Sequence, residues 1–350
     1  MDWSSSGRYD EFRYVLVDKD TMTEVCDLGM FIPGGGIKYD DLSPIKVAGS
    51  LPFIDWPDIG FDYLRVYSKS RLGDTEEEVL HGTFTVNTPE SDIKGKTKTG
   101  TAQISSLLKF VAKASTTDYI TIEEGTNAID YAASIIQGLG LSVIADKSSA
   151  TLNTPANFKA GDKWLDVIEE LCKFAGYASP NVDAAGNIRL YPYIDPTNRA
   201  PSFEFIDNER CVFGTPIKYK FDISDVPNVV IAVMSNDEVQ MRAVAKNMDP
   251  MSIYSIPARG GMELAYEETV NDIDSQNALQ ALADRRLSEL TSAVESIEIS
   301  HSFQPYQPGE VGSVIYTQAD FTFTGAAVNK DITLVRGMPC IARWRRFVRG

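Results

Sequence analysis

The amino-acid sequence predicts an α+β protein in which blocks of short strands enclose helical segments. Strand-like runs separated by turns fill the first hundred residues, helical apolar spacing takes over between 104 and 176, and strand-like alternation returns towards the end. With 350 residues, the chain is long enough for two to four folded units. Its hydrophobic fraction of 43% and charged fraction of 23% are ordinary for globular domains, so we expect an ordered chain.

The first block contains strand-like runs divided by turn-forming stretches at 18–20 and 33–36. We predict strands at 12–17, 21–28, 37–47, 61–67 and 79–86. Short strands at this spacing are typical of a β-barrel or a sandwich, and both remain open at this point. In the last run, strict alternation places His81 on the polar face.

One strand of this block carries large side chains on a single face. In the run 61–67 these are Phe61, Tyr63, Arg65 and Tyr67. Such a face could bind sugars or a protein partner, and packing beneath a barrel wall is the alternative.

The middle of the chain reads as an α+β unit. We predict helices at 104–114 and 127–139, with Asn127 as the N-cap of the second. The third helix has the clearest periodicity, with Asp162 predicted to cap it and Gly176 predicted to end it. Strands at 177–182 and 187–193 then form a hairpin around the turn 183–186.

The last part returns to strands, with one long helix among them. The nearly continuous apolar run 228–234 predicts a strand buried on both faces. Strands at 239–246 and 262–268 and a helix at 273–290 follow. From 294 onwards, His301 shares one face of a predicted strand with apolar residues, and polar residues occupy the other face. A further strand is predicted at 311–316.

The charge distribution excludes some classes of partner. The formal net charge is -16, whereas nucleic-acid binders and proteins that dock on anionic membranes need basic surfaces. The end of the chain differs, because residues 330–350 carry a local net charge of +5. Arg343, Arg345 and Arg346 predict either a solvated end or a tail that docks on an acidic neighbour. The basic residues are Lys330, Arg336, Arg343, Arg345, Arg346 and Arg349.

The cysteines are far apart in the sequence, at Cys26, Cys172, Cys211 and Cys340. This spacing indicates neither a zinc site nor a redox pair, and Cys172 has the setting of a small core residue. The start of the chain lacks the pattern of a signal peptide, and no apolar run is long enough to span a bilayer. We therefore expect synthesis in a reducing cytoplasm and no stable membrane insertion.

Motifs of catalysis are weak throughout. His81 and His301 are the two histidines, and a lone strand histidine on an apolar face is usually a core residue. Adjacent acids at 123–124, 169–170 and 267–268 point apart on helices and strands, although folding could still unite distant carboxylates as in a glycosidase. The glycine runs at 33–36 and 259–261 lack the residues of a phosphate loop. We assign no catalytic, cofactor-binding or metal-binding residue, and we predict no enzyme and no cofactor.

Three stretches resemble the hub proteins of phage tails, the group that includes late-control protein D and siphophage tail hubs. The first is the helix 161–177, which ends in Gly176-Tyr177 and is followed by the Asp183–Gly186 hairpin. The second is the strand entry 225–230. The third is the helix 275–290 with the later turn 308–311, where Glu310 stands in place of the more usual aspartate.

This resemblance implies an arrangement of four units. Two β-barrel domains would occupy 1–97 and 201–232 with 292–350, an inserted α+β domain would occupy 98–200, and a smaller strand–helix insert would occupy 233–291. Three chains would form a homotrimeric ring of six similar barrels. That ring would join a hexameric tail tube to a three-fold tip.

The resemblance also implies a structural role in the virion, at the tail tip or baseplate, after assembly in the host cytoplasm. Implied partners are the distal tail protein, the tape measure protein and tail fibre or spike proteins. DNA would pass through the ring without sequence-specific binding, and we hypothesise that part of the acidic excess lines this channel. Two alternatives are a tail-associated cell-wall hydrolase and a carbohydrate-binding module for host adhesion.

Overall fold

The computed structural model describes all residues except 2, 4–6, 56–58, 88–89, 209–212, 222–225, 236–239, 271–272, 274, 293–294 and 347–350. The predicted α+β class agrees with this part of the chain, in which strands outnumber the four helices. The predicted residues Cys211 and Arg349 lie outside the described part.

The first block forms one antiparallel arrangement. Its strands are β1 (Tyr9–Val17), β2 (Glu24–Asp27), β3 (Gly36–Asp40), β4 (Val47–Ile54), β5 (Tyr63–Leu72), β6 (Thr75–Val86), β7 (Glu90–Lys94) and β8 (Thr97–Ser106). Their order in the sheet is β3-β4-β8-β6-β5-β1-β2, and β7 pairs with β8 beside this path. Alternation directs Leu64 and Val66 of β5 into the core.

Two strand predictions in this block are wrong. The run 37–47 is not one strand, because β3 ends at Asp40 and β4 begins at Val47. Between them, the Asp40 carboxylate accepts a hydrogen bond from the Leu42 N–H, which is the local turn chemistry expected of aspartate. Phe61 precedes β5 and is 87% exposed, so it does not share a strand face with Tyr63.

The first predicted helix is also too long. Residues 104–106 belong to β8, and α1 spans only Leu108–Lys113. Ile104 pairs with Gly49 of β4 and is buried, so strand pairing with the rest of the sheet overrides the local helical pattern.

The middle unit packs helices on small sheets, as predicted. Its further elements are β9 (Ile120–Ile122), α2 (Ala128–Gly138), β10 (Val143–Ala145), β11 (Ala156–Phe158), α3 (Trp164–Phe174), β12 (Asn181–Val182) and β13 (Ile188–Leu190). Val167, Ile168 and Leu171 of α3 are buried against α2 and the sheets. β12 and β13 pair antiparallel, which confirms the hairpin, although both strands are shorter than predicted.

The two predicted helix caps have opposite outcomes. Asn127 caps α2, because its Oδ1 accepts hydrogen bonds from the backbone of Ile129 at 3.0 Å and Asp130 at 3.1 Å. Asp162 does not cap α3. Its carboxylate instead accepts a hydrogen bond of 2.7 Å from the backbone N–H of Lys159. Lys163 takes the N-cap position of α3, and its side chain makes no capping hydrogen bond.

The insert follows β14 (Phe203–Ile206) and β15 (Phe213–Phe221). It consists of β16 (Val229–Ser235), β17 (Gln240–Lys246), β18 (Ala265–Val270) and α4 (Gln276–Ser292), and the sheet order is β17-β16-β18. The face of β16 that carries Val230 packs on Leu279 of α4. The prediction that β16 is buried on both faces is wrong, because Ile231 and Val233 on the other face are half-exposed.

The last block joins the first through one long strand. Its strands are β19 (Glu295–Ser302), β20 (Val311–Tyr316), β21 (Phe321–Thr333) and β22 (Pro339–Arg345). β21 pairs with β20 over 321–326 and with β3 over 329–333, so a single sheet continues from β15 to β2. The described pairings do not close this sheet, and the two-barrel arrangement therefore stays a prediction.

Among the described residues, four larger hydrophobic cores are centred on the first block, the middle unit, the insert and the last block, and Val226 and Tyr254 form a fifth, smaller one. The first core also contains residues from the end of the chain, such as Leu334 and Cys340. The chain is thus continuous in packing as well as in strand pairing. The residue boundaries predicted for the four units remain a prediction.

Gly325 of β21 provides a test of the packing around this shared strand. A Cβ atom at Gly325 would lie 2.2 Å from the backbone oxygen of Arg345, so Gly325→Ala forces the backbone of β22 to move. We expect a loss of about 2 kcal/mol in the free energy of unfolding, measured by urea denaturation. Gly138→Ala, at the end of α2, is the matched control because nothing lies within 4 Å of its Cβ position. An equal loss of unfolding free energy in both variants would contradict the close approach of Gly325 to the backbone of β22.

Candidate functional site

The two histidines lie in the core. His81 is 4% exposed, and its Nε2 lies 2.8 Å from Ser68 Oγ. The predicted polar-face position is wrong, because the β5–β6 register shifts between Val66 and Tyr67. Val66 pairs with Gly82 and Tyr67 with Leu80, which leaves His81 as the extra residue of a bulge. Burial lowers the pKa of His81 to about 3, so its ring is neutral at pH 7.

His301 has the buried position that the alternation predicts. Its Nε2 lies 2.8 Å from the Tyr306 hydroxyl, and its Nδ1 lies 2.7 Å from the carbonyl oxygen of Ser302. Burial lowers the pKa of His301 to about 4. Both ring nitrogens therefore have partners in the core, and the arrangement holds the 303–306 loop against β19.

Lys330 is the most unusual charged side chain of this region. Although it is one of the basic residues near the end of the chain, it is 1% exposed. Its Nζ donates hydrogen bonds to the carbonyl oxygens of Gln304 and Tyr306. The rings of Tyr39, Phe303 and Tyr306 lie 4.5–5.2 Å from the ammonium. Burial lowers the pKa of Lys330 to about 8.

Four more basic residues of this end, up to Arg346, lie in the last strand or have partners beside it. Arg343 and Arg345 belong to β22, where Arg343 is exposed and Arg345 is half-buried. Arg346 forms an ion pair of 2.8 Å with Glu295. Arg336 lies over the ring of Tyr9. Arg343 is therefore solvated, as one alternative expected, and docking of this end on an acidic neighbour stays a prediction.

Tyr67 and Arg65 of the predicted aromatic face belong to a polar network. Tyr63 is buried, as the packing alternative expected, but Tyr67 is half-exposed. The Tyr67 hydroxyl donates a hydrogen bond of 2.5 Å to Glu24, and the Arg13 guanidinium lies 4.3 Å from the centre of the Tyr67 ring. Arg65 forms an ion pair of 3.4 Å with the same Glu24. These contacts tie β2 to β1 and β5.

The acidic pairs lie in different settings. Residues 123–124 are exposed in the loop after β9. Glu169 and Glu170 lie on α3, at the wall of a cleft of about 1150 Å³ between α3, α4 and the loop 307–310. Glu268 of β18 forms an ion pair of 2.9 Å with Arg286 of α4, and both line the insert's side of the same cleft. The cleft walls carry both signs of charge. One wall belongs to the middle unit and the other to the insert.

The remaining sequence candidates are structural. The glycines at 33–36 lead into β3, and Gly260 and Gly261 form a turn with positive φ before β18. Cys26 is exposed, whereas burial raises the pKa of the Cys172 and Cys340 thiols to about 12. Among the described residues, no group of three or more metal-ligating side chains is suitably placed, and no helix is long and apolar enough to cross a membrane.

The sequence reasoning missed one buried charge cluster. Asp10 of β1 accepts hydrogen bonds from Arg8 Nε at 2.8 Å, Ser70 Oγ at 2.6 Å and the Gly337 N–H at 2.8 Å. Arg8 also donates to the Gly337 carbonyl oxygen at 2.9 Å. This cluster ties the first strand to the turn before the last strand. A polar residue on an otherwise buried strand face was the signal that could have revealed it.

No protein-family model and no curated protein matches this chain. Several solved structures match it over nearly its whole length. A tail protein from Neisseria meningitidis MC58 has a TM-score of 0.70 at 14% identity, and the match covers 96% of each chain. The 43 kDa tail protein of prophage MuSo2 from Shewanella oneidensis has a TM-score of 0.66 at 11% identity, covering 96% of this chain and 98% of that one.

A third solved structure, the prophage tail protein gp18 from Listeria monocytogenes EGD-e, has a TM-score of 0.58 at 12% identity. That match covers 95% of this chain and 94% of the Listeria chain. The chain therefore has the fold of phage tail proteins, which the resemblance of three short sequence stretches predicted.

Proposed function

We propose that this chain is a non-enzymatic structural subunit of a phage tail tip or baseplate, where it forms the central hub. The observation that carries the proposal is the end-to-end match of its fold to tail proteins. The match includes the insert and the middle unit as well as the sheets, and so it extends beyond one common domain.

The proposed assembly is a homotrimeric ring around an axial channel. Each copy contributes the first and last strand blocks, which β21 holds in one sheet. Among the described residues, β2 and β15 are the end strands of this sheet, and sheet ends are places where a neighbouring protein can dock. In the virion, those neighbours would be the distal tail protein, the tape measure protein and a fibre or spike.

The acidic surface fits passage of DNA without adhesion. A chain with a net charge of -16 repels phosphates, so DNA would slide through a ring of such chains. We propose that part of this excess lines the channel. Changing several channel carboxylates to lysine would then slow DNA ejection, and an unchanged ejection rate would contradict this role.

Native mass spectrometry of the full chain tests the ring. We expect a trimer of 38.6 kDa subunits. The trimer should be favoured by raising the salt from about 50 to about 500 mM, because salt screens the repulsion between like-charged copies. A chain that stays monomeric at every concentration and salt would contradict the ring. Clearing of host peptidoglycan in a zymogram would instead support the hydrolase alternative, and glycan binding would support the adhesion module.

A further inference from the structure

The connection between β17 and β18 exposes an unusual amount of apolar surface. We name residues 247–264 the methionine loop. Met251 is 88% exposed, Met262 59%, Met248 57% and Ile253 52%. Every strongly exposed methionine in the described part of the chain lies in this loop. Large exposed apolar side chains grouped in one segment mark interaction sites, and methionine adapts well to the shape of a partner.

Hydrogen bonds to the buried residue Asn228 fix both ends of the methionine loop. The Asn228 side chain is fully buried and makes two hydrogen bonds to the loop exit, donating to the Met262 carbonyl oxygen at 2.8 Å and accepting from the Leu264 N–H at 2.7 Å. The Asn228 carbonyl oxygen accepts a bond from the Asn247 N–H at the loop entry. Within the loop itself, the side chain of Tyr254 is buried.

This anchoring means that the apolar side chains are presented by an ordered backbone. A loop that exposed them only because it was loose would lack such buried bonds. Ordering before contact lowers the entropy cost of binding, which is the property of a prepared docking surface.

We propose that the methionine loop is a contact site for a second copy of this chain, and this inference rests on the proposed ring. Charge identifies the occupant. Lys246 and Glu263 at the two ends of the loop form an ion pair of 2.6 Å, and within the loop Asp249 balances Arg259. A partner of opposite charge would be drawn to the acidic surface elsewhere. A copy that carries the same -16 charge can approach closely only where the surface is neutral and apolar.

Peroxide footprinting tests the contact on the unmodified chain. Methionine oxidises to the sulfoxide where it is accessible, and the modified peptides are counted by mass spectrometry. We expect Met248, Met251 and Met262 to oxidise at least about fivefold more slowly in the assembled form than after dissociation by dilution, since burial blocks access. Equal rates in the two forms would overturn the proposal. Met22 and Met30 serve as internal references from the first block.

The substitution Met251→Lys tests the same contact independently. A lysine at this exposed position leaves the fold intact but puts three like charges into the assembly, so we expect the dissociation constant to rise about tenfold or more. Phe61→Lys is the matched control, because Phe61 is 87% exposed on a different block. Circular dichroism spectra should be unchanged in both variants.

The outcomes separate the two proposals. If the unmodified chain forms trimers and Met251→Lys assembles equally well, the loop assignment is overturned while the ring stands, and another tail protein or a lipid surface becomes the occupant to test. If the unmodified chain never associates, both proposals are overturned. Weakened assembly in Met251→Lys but not in Phe61→Lys supports both.

Discussion

Replacing Lys330 by alanine is expected to lower the free energy of unfolding by about 4 kcal/mol, whereas methionine at this position should cost less than half as much. Alanine leaves a cavity beneath three aromatic rings and removes the donor for the carbonyl oxygens of Gln304 and Tyr306. Methionine keeps most of the volume and removes the cost of burying a charge.

The buried Lys330 ammonium should make the free energy of unfolding depend on pH. The pKa is about 8 in the folded chain and about 10.4 in an unfolded one, so the unfolded chain binds more protons between these values. Stability supplied by this group therefore rises with pH from about 8 to about 10.5, by about 3 kcal/mol in total. Below pH 8 the ammonium is charged in both states and the burial cost is present in full.

The measurement is urea denaturation of the unmodified chain and Lys330→Met at several pH values. The advantage of the unmodified chain over Lys330→Met in unfolding free energy should grow by about 3 kcal/mol as the pH rises from about 8 to about 10.5, in step with the titration of Lys330. Taking the difference removes the titration of other groups shared by both chains. A difference that is constant from pH 7 to pH 10.5 would show that Lys330 titrates as an exposed lysine.

Replacing Asp10 by alanine should be equally severe, at about 4 kcal/mol. The change leaves the Arg8 guanidinium, itself 3% exposed, without its carboxylate, and it orphans the Gly337 N–H. The cluster joins β1 to the turn before β22, and so the loss is expected to appear as cooperative unfolding of the shared sheet.

An exposed ion pair supplies the control for Asp10. Glu76 lies 2.7 Å from Lys69 and 3.0 Å from Arg71, with 41% of its side chain exposed. Because solvent screens such pairs, Glu76→Ala should lower the free energy of unfolding far less than Asp10→Ala. Comparable losses for Asp10→Ala and Glu76→Ala in urea denaturation would mean that the Asp10 cluster is not buried as described.

Local chemistry explains which parts of this fold were predictable. Asn127 capped its helix because side-chain and backbone partners lie within three residues of each other. The α+β class and the likeness to phage tail proteins were predictable from the order of the blocks and three short stretches. Long β-pairing was not, since the strand at 104–106 and the link from β21 to β3 depend on partners far away in the sequence.

The buried polar groups had weaker signals. Lys330 shares one face of β21 with Val328 and Ile332, and this spacing was a signal for an inward side chain that the sequence predictions did not use. His81 required knowledge of a one-residue bulge, which the sequence of β6 alone does not specify. The methionine loop had no periodicity, and only the structure shows that its apolar residues are exposed while its anchors are buried.

Electron cryo-microscopy of the purified full-length chain tests the trimeric ring most directly. We expect particles with three copies around a three-fold axis, an axial opening and contacts between copies that include the methionine loop. Images that contain only single chains, or only two-fold dimers without an opening, would contradict the ring.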